Sequence, residues 1–195
     1  MARVFHRRLI ALGLAAMVLS ARFQGAEGFR IFSQPLLIPE RGEVTSYVVM
    51  TESNKFSFLP PPVWNMGKNS GERTVTFVPD DLSAKISFKI NPGIPRTLQD
   101  LQTEFFRQEI TTRYPEAKIV AESLCYTSGQ QGITFDLESH VANRPPMSMR
   151  LAFIPFENGM VEFNLTAETR TFSAHHLTLG NLLTSFRIEP IPRAK

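Results

Sequence analysis

Two apolar runs separated by a turn signal constrain this chain more than any other feature. Residues 148–156 and 160–166 are rich in strand-favouring or apolar side chains, with Glu157, Asn158 and Gly159 between them. Asn followed by Gly supplies the positive-φ corner of a tight antiparallel hairpin. A ribbon this apolar cannot stand alone in water, so the rest of the chain must supply the layers that cover it.

The first 26 residues stand outside that argument. Arg3, Arg7 and Arg8 precede an apolar run over 9–19 and then small residues, which is the form of a signal peptide. The run is shorter than the roughly 20 apolar residues of a membrane span. The sequence therefore predicts an exported protein, periplasmic or extracellular and of bacterial type, with no integral membrane span in the mature chain. Of the 21 Lys and Arg, four fall in this leader and none of the 18 Asp and Glu does, so the remainder carries a formal charge of −1. Its basic side chains are scattered among acids, and no nucleic-acid partner is expected, because neutralising a phosphate backbone takes a clustered positive surface.

The 169 residues that follow are enough for one domain with a sizeable core. Cys125 is the only cysteine, so stability must come from packing; between Leu124 and Tyr126 it reads as a core side chain. Residues 27–43, with Pro35 and Pro39, read as an extended N-terminal arm, 44–188 as the domain and 189–195 as a tail. Tyr47, Val48, Val49 and Met50 predict a strand, and Phe56, Phe58 and Leu59 a second one. Pro60, Pro61 and Pro62 end it, since consecutive prolines cannot donate to a ladder. Trp64 reads as an aromatic plug beneath that turn, and the polar, glycine-containing residues 65–73 as a surface loop. Ala84, Ile86, Phe88 and Ile90 alternate with Lys85, Ser87 and Lys89 in the clearest half-buried strand of the sequence.

A helix is predicted over 98–114, capped by Thr97 and stopped by Pro115, with Leu98, Leu101, Phe105 and Ile110 inward and Phe106 at the core edge. Strands follow over 118–126 and 133–141, and residues 143–146 break the sheet before the central ribbon. Phe172, His176, Leu179 and Leu183 then share one side of a second helix, which Gly180 weakens. Phe186, Arg187 and Ile188 form a short closing strand or packed extension. Several antiparallel strands and two amphipathic helices bury their apolar surfaces by packing helices on a sheet, an α+β domain.

The residues that carry chemistry do not assemble by spacing. His175 and His176 are adjacent on a helix and point about 100° apart; His140, Glu162 or Glu168 would join them only through folding, and no metal or cofactor is predicted. Asp80 and Asp81 read as a solvated acidic turn, although Asp136 or Glu138 would complete an oxygen set for a hard cation if the loops met. Cys125 and His140 are of the types that make a nucleophile and base, but no strand-to-helix nucleophile turn surrounds Ser123, Ser128, Ser139 or Ser173. Gly67, Gly71, Gly129 and Gly132 form no phosphate-binding signature. Asn164, Leu165 and Thr166 satisfy the glycosylation acceptor pattern within an apparent strand. No catalytic residue is assigned.

The order of these pieces resembles a known family. The strand containing Tyr47 to Met50, then Phe56, Ser57, Phe58, Leu59 and Pro60 with Trp64 soon after, is similar to the "FSF-P-x-x-W" opening of proteins like PsbP, the extrinsic photosystem II subunit, and the match runs in order over residues 44–188. The resemblance implies an α/β/α sandwich with a central antiparallel sheet flanked by helices. A small nuclear-import regulator that binds Ran shares that fold, so the fold covers unrelated tasks. No manganese, calcium or photosystem-contact residue of the family maps onto a motif here, and an oxygen-evolving role is not carried over.

The expected function is that of an exported, noncatalytic accessory or protein-binding domain with an exported or membrane-associated protein partner. A carrier of a small apolar ligand, with a cavity between sheet and helix, and a hydrolase with a spatially assembled site are the alternatives. The candidate binding residues are Pro60, Pro61, Pro62 and Trp64 in the proline turn, together with the loop 65–73, and Asn143 and Arg144 in the loop 143–146.

Overall fold

The computed structural model describes residues 28–39, 42–93, 103–157 and 159–192. In chain order the elements are β1 (Arg30–Ile38), β2 (Gly42–Met50), β3 (Asn54–Phe58), β4 (Trp64–Asn69), β5 (Thr74–Pro79), β6 (Ala84–Pro92), α1 (Thr103–Arg113), β7 (Ala117–Thr127), β8 (Gln130–Ser139), β9 (Met147–Phe156), β10 (Gly159–Glu168), α2 (Thr169–Ser185) and β11 (Arg187–Pro190). The predicted leader lies outside the described residues, as do Asn158, Thr97, Leu98 and Leu101. No helix among the described residues is long and apolar enough to cross a membrane.

The apolar ribbon is the hairpin β9–β10, and it occupies the middle of a seven-stranded antiparallel sheet of order β4-β5-β6-β10-β9-β8-β7. Gly159 opens β10 at φ +157°, and a Cβ there would overlap the Asn91 carbonyl oxygen on β6, so this crossing requires glycine. Side chains alternate across the sheet. Val161, Phe163, Leu165 and Ala167 of β10 enter the larger core; Met160, Glu162, Asn164 and Thr166 face the other way.

The first face is covered twice. α2 presents Phe172, Leu179, Leu182 and Leu183 to it, and a second sheet of order β1-β2-β3-β11 adds Val49, Phe56 and Phe58. The predicted arm therefore includes a strand of this second sheet, β1, paired along its length with β2. The opposite face carries the smaller core, in which Phe106 and Ile110 of α1 pack on Phe135, Leu137, Leu151 and Phe153. The central antiparallel sheet is thus flanked by one helix on each face, the expected α/β/α sandwich.

Two local readings change. Residues 64–69 form an edge strand against β5 and not a loop, leaving only a tight turn before Thr74. Only Trp64 and Met66 in that strand need the core, so its polarity concealed it. In α1 the inward phenylalanine is Phe106, which is 1% exposed, whereas Phe105 is 42% exposed. Phe106 and Ile110 stand four apart and share one helix face, which points at β8 and β9.

Candidate functional site

α1 lies over β7, β8 and β9, and the other half of that sheet face carries Lys85, Ser87 and Lys89 of β6 toward solvent. Between the helix and this polar half runs a trough floored by β6 and β10. Its length from Asn91 to Lys85 is roughly 20 Å, six residues of extended strand.

The end of α1 divides the trough in two. Arg113 donates to Glu162 on β10 and, one helical turn back, to Glu109. Burial opposes the Arg113 charge, but Glu162 and Glu109 outweigh it and hold the guanidinium above its ordinary pKa. Asn164 Nδ2 donates to the Tyr114 hydroxyl at 3.4 Å, adding a second link one step along β10. On one side of this clasp is a chamber of about 440 Å³, where Phe105, Phe153 and Met160 meet Lys89 and Asn91. On the other side is one of about 610 Å³, where Leu82, Met147, Met149 and Tyr114 meet Lys85. Both volumes lie in the range of small-molecule or side-chain pockets.

The charges inside are unevenly matched. Glu109 and Glu162 are held by Arg113, and Glu168, at the far rim, is 2.6 Å from Arg170. Lys85 and Lys89 have no carboxylate partner among the described residues. At the outer side of α1, Arg107 makes bonds of 2.6 and 2.9 Å to Glu122 of β7, and the hydrogen bond from Arg107 holds the Glu122 carboxyl below its usual range.

The sequence-predicted binding residues sit at the same end of the sheet as the larger chamber but do not converge. Pro61 is buried and Pro62 exposed. Trp64 faces the α2 side, its ring edge-on to His175 at 5.6 Å. Asn143 and Arg144 are exposed in the β8–β9 turn, where Asn143 takes φ +64° and the Arg144 N–H donates to Val141. β5, β6 and β10 intervene between that turn and β4, a span of roughly 19 Å. Lys85, Ser87 and Lys89 were readable only as a strand's solvent face, because no sequence pattern says how far a helix will cover it.

The chemistry-bearing residues are dispersed. His175 lies against Trp64 and is 3.4 Å from the Ser83 hydroxyl; His176 turns inward against the Phe172 ring. Asp136 is bound twice by Arg150 at 2.6 Å, and Asp80 accepts from Asn65 at 2.7 Å. No group of three His, Cys, Asp or Glu placed to hold a metal occurs among the described residues. Cys125 pairs with Gly132 at one end of β8, and His140 follows its other end, roughly 25 Å away. Burial pushes the Cys125 thiol up to about 11.

No family model matches the sequence, and no curated protein matches it. Among solved structures, cyanobacterial PsbP (CyanoP) from Synechocystis sp. PCC 6803 superposes with a TM-score of 0.58 at 14% identity, over 88% of this chain and 99% of that one. The Saccharomyces cerevisiae Ran-binding protein Mog1p gives 0.49 at 10% identity, over 68% and 89%. LpqN of Mycobacterium tuberculosis, described as involved in cell envelope biogenesis, gives 0.45 at 12%, over 83% and 92%. At such identity the likeness is one of architecture: the chain has the fold of cyanobacterial PsbP.

Proposed function

We propose that this protein is an exported, noncatalytic accessory domain that holds a segment of another protein in the trough beside α1. The observation that carries the reading is the clasp. Arg113 ties up two of the trough's three carboxylates, Glu109 and Glu162, and fixes the helix end on β10, while Arg170 holds the third, Glu168, so the groove is a preshaped surface whose acids are already engaged. Export rests on the leader pattern over residues 1–26. The exposed part of the proline turn, Pro62 with Val63, belongs to the same end of the molecule, while Trp64 packs against the core.

The carrier reading draws on the same chambers, and one experiment separates the two. A photo-crosslinking residue is placed at Ser87 on the trough floor and, as a control, at Leu177, which is 72% exposed on the outer side of α2. After irradiation in the cells that export the chain, a discrete protein adduct at position 87 and not at 177 is expected. Adducts with lipid or metabolite alone would put the carrier reading first, and identical adducts at both positions would remove the trough from consideration.

A further inference from the structure

We infer that the trough is built for an extended peptide segment that alternates apolar side chains with carboxylates. This rests on the protein-binding reading and adds the chemistry of the partner. Lys85 and Lys89 project from the same face of β6, four residues and roughly 13 Å apart along the trough axis. An extended segment repeats its side-chain direction every second residue, so two of its carboxylates four positions apart match both ammonium groups. The trough's own carboxylates are held by Arg113 and Arg170, which leaves the lysines for an incoming acid.

The apolar half of the recognition comes from the chambers. Met147, Met149 and Met160, three of the seven methionines in the chain, all line them. Methionine adapts its shape to different apolar partners, as peptide-accepting surfaces require. Leu82 is an independent sign. It is 76% exposed at the mouth of the larger chamber and takes φ +56°, a left-handed conformation that costs a leucine free energy and that glycine would fill without strain. The turn thus holds an isobutyl group in water at a backbone cost, where a guest side chain would cover it.

The test uses the exported chain with ¹³C-labelled methionine methyls and two blocked octapeptides, one alternating Leu with Glu and one alternating Leu with Lys. The Leu/Glu peptide is expected to shift the methyls of Met147, Met149 and Met160, and the Leu/Lys peptide to leave them in place. In the double variant Lys85→Glu/Lys89→Glu the preference should invert, with about tenfold weaker binding of the Leu/Glu peptide and new binding of the other. An inverted preference cannot come from misfolding. Equal response to both peptides, no response to either, or decanoate filling the chambers and excluding the peptide would overturn the assignment. The two proposals fail separately. A protein adduct at position 87 that persists undiminished in the charge-reversed chain leaves the binding function standing and removes the acidic-peptide chemistry.

Discussion

Val63 carries a backbone conformation its side chain opposes. The Trp64 N–H reaches the Pro61 carbonyl at 3.4 Å, so Pro62 and Val63 are the central residues of a turn, and Val63 takes φ +58° while 91% exposed. Left-handed backbone costs a non-glycine residue roughly 1–2 kcal/mol, more for a β-branched one, whereas glycine's extra freedom in the unfolded chain costs about 0.5–1 kcal/mol. The first effect is the larger, and no burial is lost. Val63→Gly should therefore raise stability by about 1 kcal/mol, seen as a higher urea midpoint at unchanged slope; a lower midpoint would mean that the valine makes contacts worth more than the strain. His176 belongs to the same scale. Its Nε2 is buried without a hydrogen-bond partner among the described residues. Burial, and then the Arg150 charge, hold the imidazole below its ordinary pKa of 6.5, with Asp136 pulling weakly the other way. The folded state thus prefers neutral His176 while the unfolded chain takes the proton more readily. That contribution to stability is complete above 6.5 and is lost as pH falls from there through the lower folded value. Wild-type protein should lose more stability between pH 7 and pH 5 than His176→Leu does in paired urea titrations, and parallel losses would assign the acid sensitivity to other groups.

At the scale of elements, what was legible depended on whether burial alone decides the pattern. β6 alternates strictly and α2 repeats its apolar residues on one side because each has one face in the core, and both stand where the sequence put them. β4 did not announce itself because an edge strand needs only backbone partners on one side, and β5 supplies them to Asn65, Gly67 and Asn69. β1 tolerates Pro35 for the same reason: it sits at the edge of its sheet, where a missing N–H breaks no ladder on the open side. In α1, Phe105 and Phe106 are adjacent and equally apolar, so the inward one is chosen by the direction from which β8 and β9 approach, a tertiary fact. The trough escaped for a related reason. Lys85, Ser87 and Lys89 read correctly as the outer face of β6, and only the placement of α1 over half the sheet, pinned through Arg113 and Glu162, makes a groove beside them.

At the scale of the molecule, two cores must be held in one fold, and the larger also joins two sheets. The junction is the end of α2. Phe186 ends the helix fully buried, with its ring 5.0 Å from Phe163, 5.2 Å from Phe88, 6.0 Å from Phe56 and 6.1 Å from Phe58. Phe88 and Phe163 belong to the seven-stranded sheet, Phe56 and Phe58 to the four-stranded one, so a single ring touches both. Hydrogen bonds converge on the same place. Thr127 of β7 donates to the Leu183 carbonyl at 2.9 Å, the Leu59 N–H donates to Ser185 at 3.1 Å, and the Ile188 N–H donates to Ser128 at 3.0 Å. Removing the Phe186 ring would leave a cavity that rigid strands on two sides cannot close, which places Phe186→Ala toward the top of the roughly 3–5 kcal/mol range for such truncations. Against a typical total of about 5–15 kcal/mol, that is a large share of the fold's stability. Leu177→Ala, on the solvent side of the same helix, should cost no more than about 0.5 kcal/mol. Urea unfolding followed by Trp64 fluorescence, with far-ultraviolet circular dichroism for the strands, reads both variants. If the sheets are coupled through Phe186, the two signals of Phe186→Ala shift together to lower urea. If the four-stranded sheet detaches first, they separate, and the molecule is two cooperative units that share a helix.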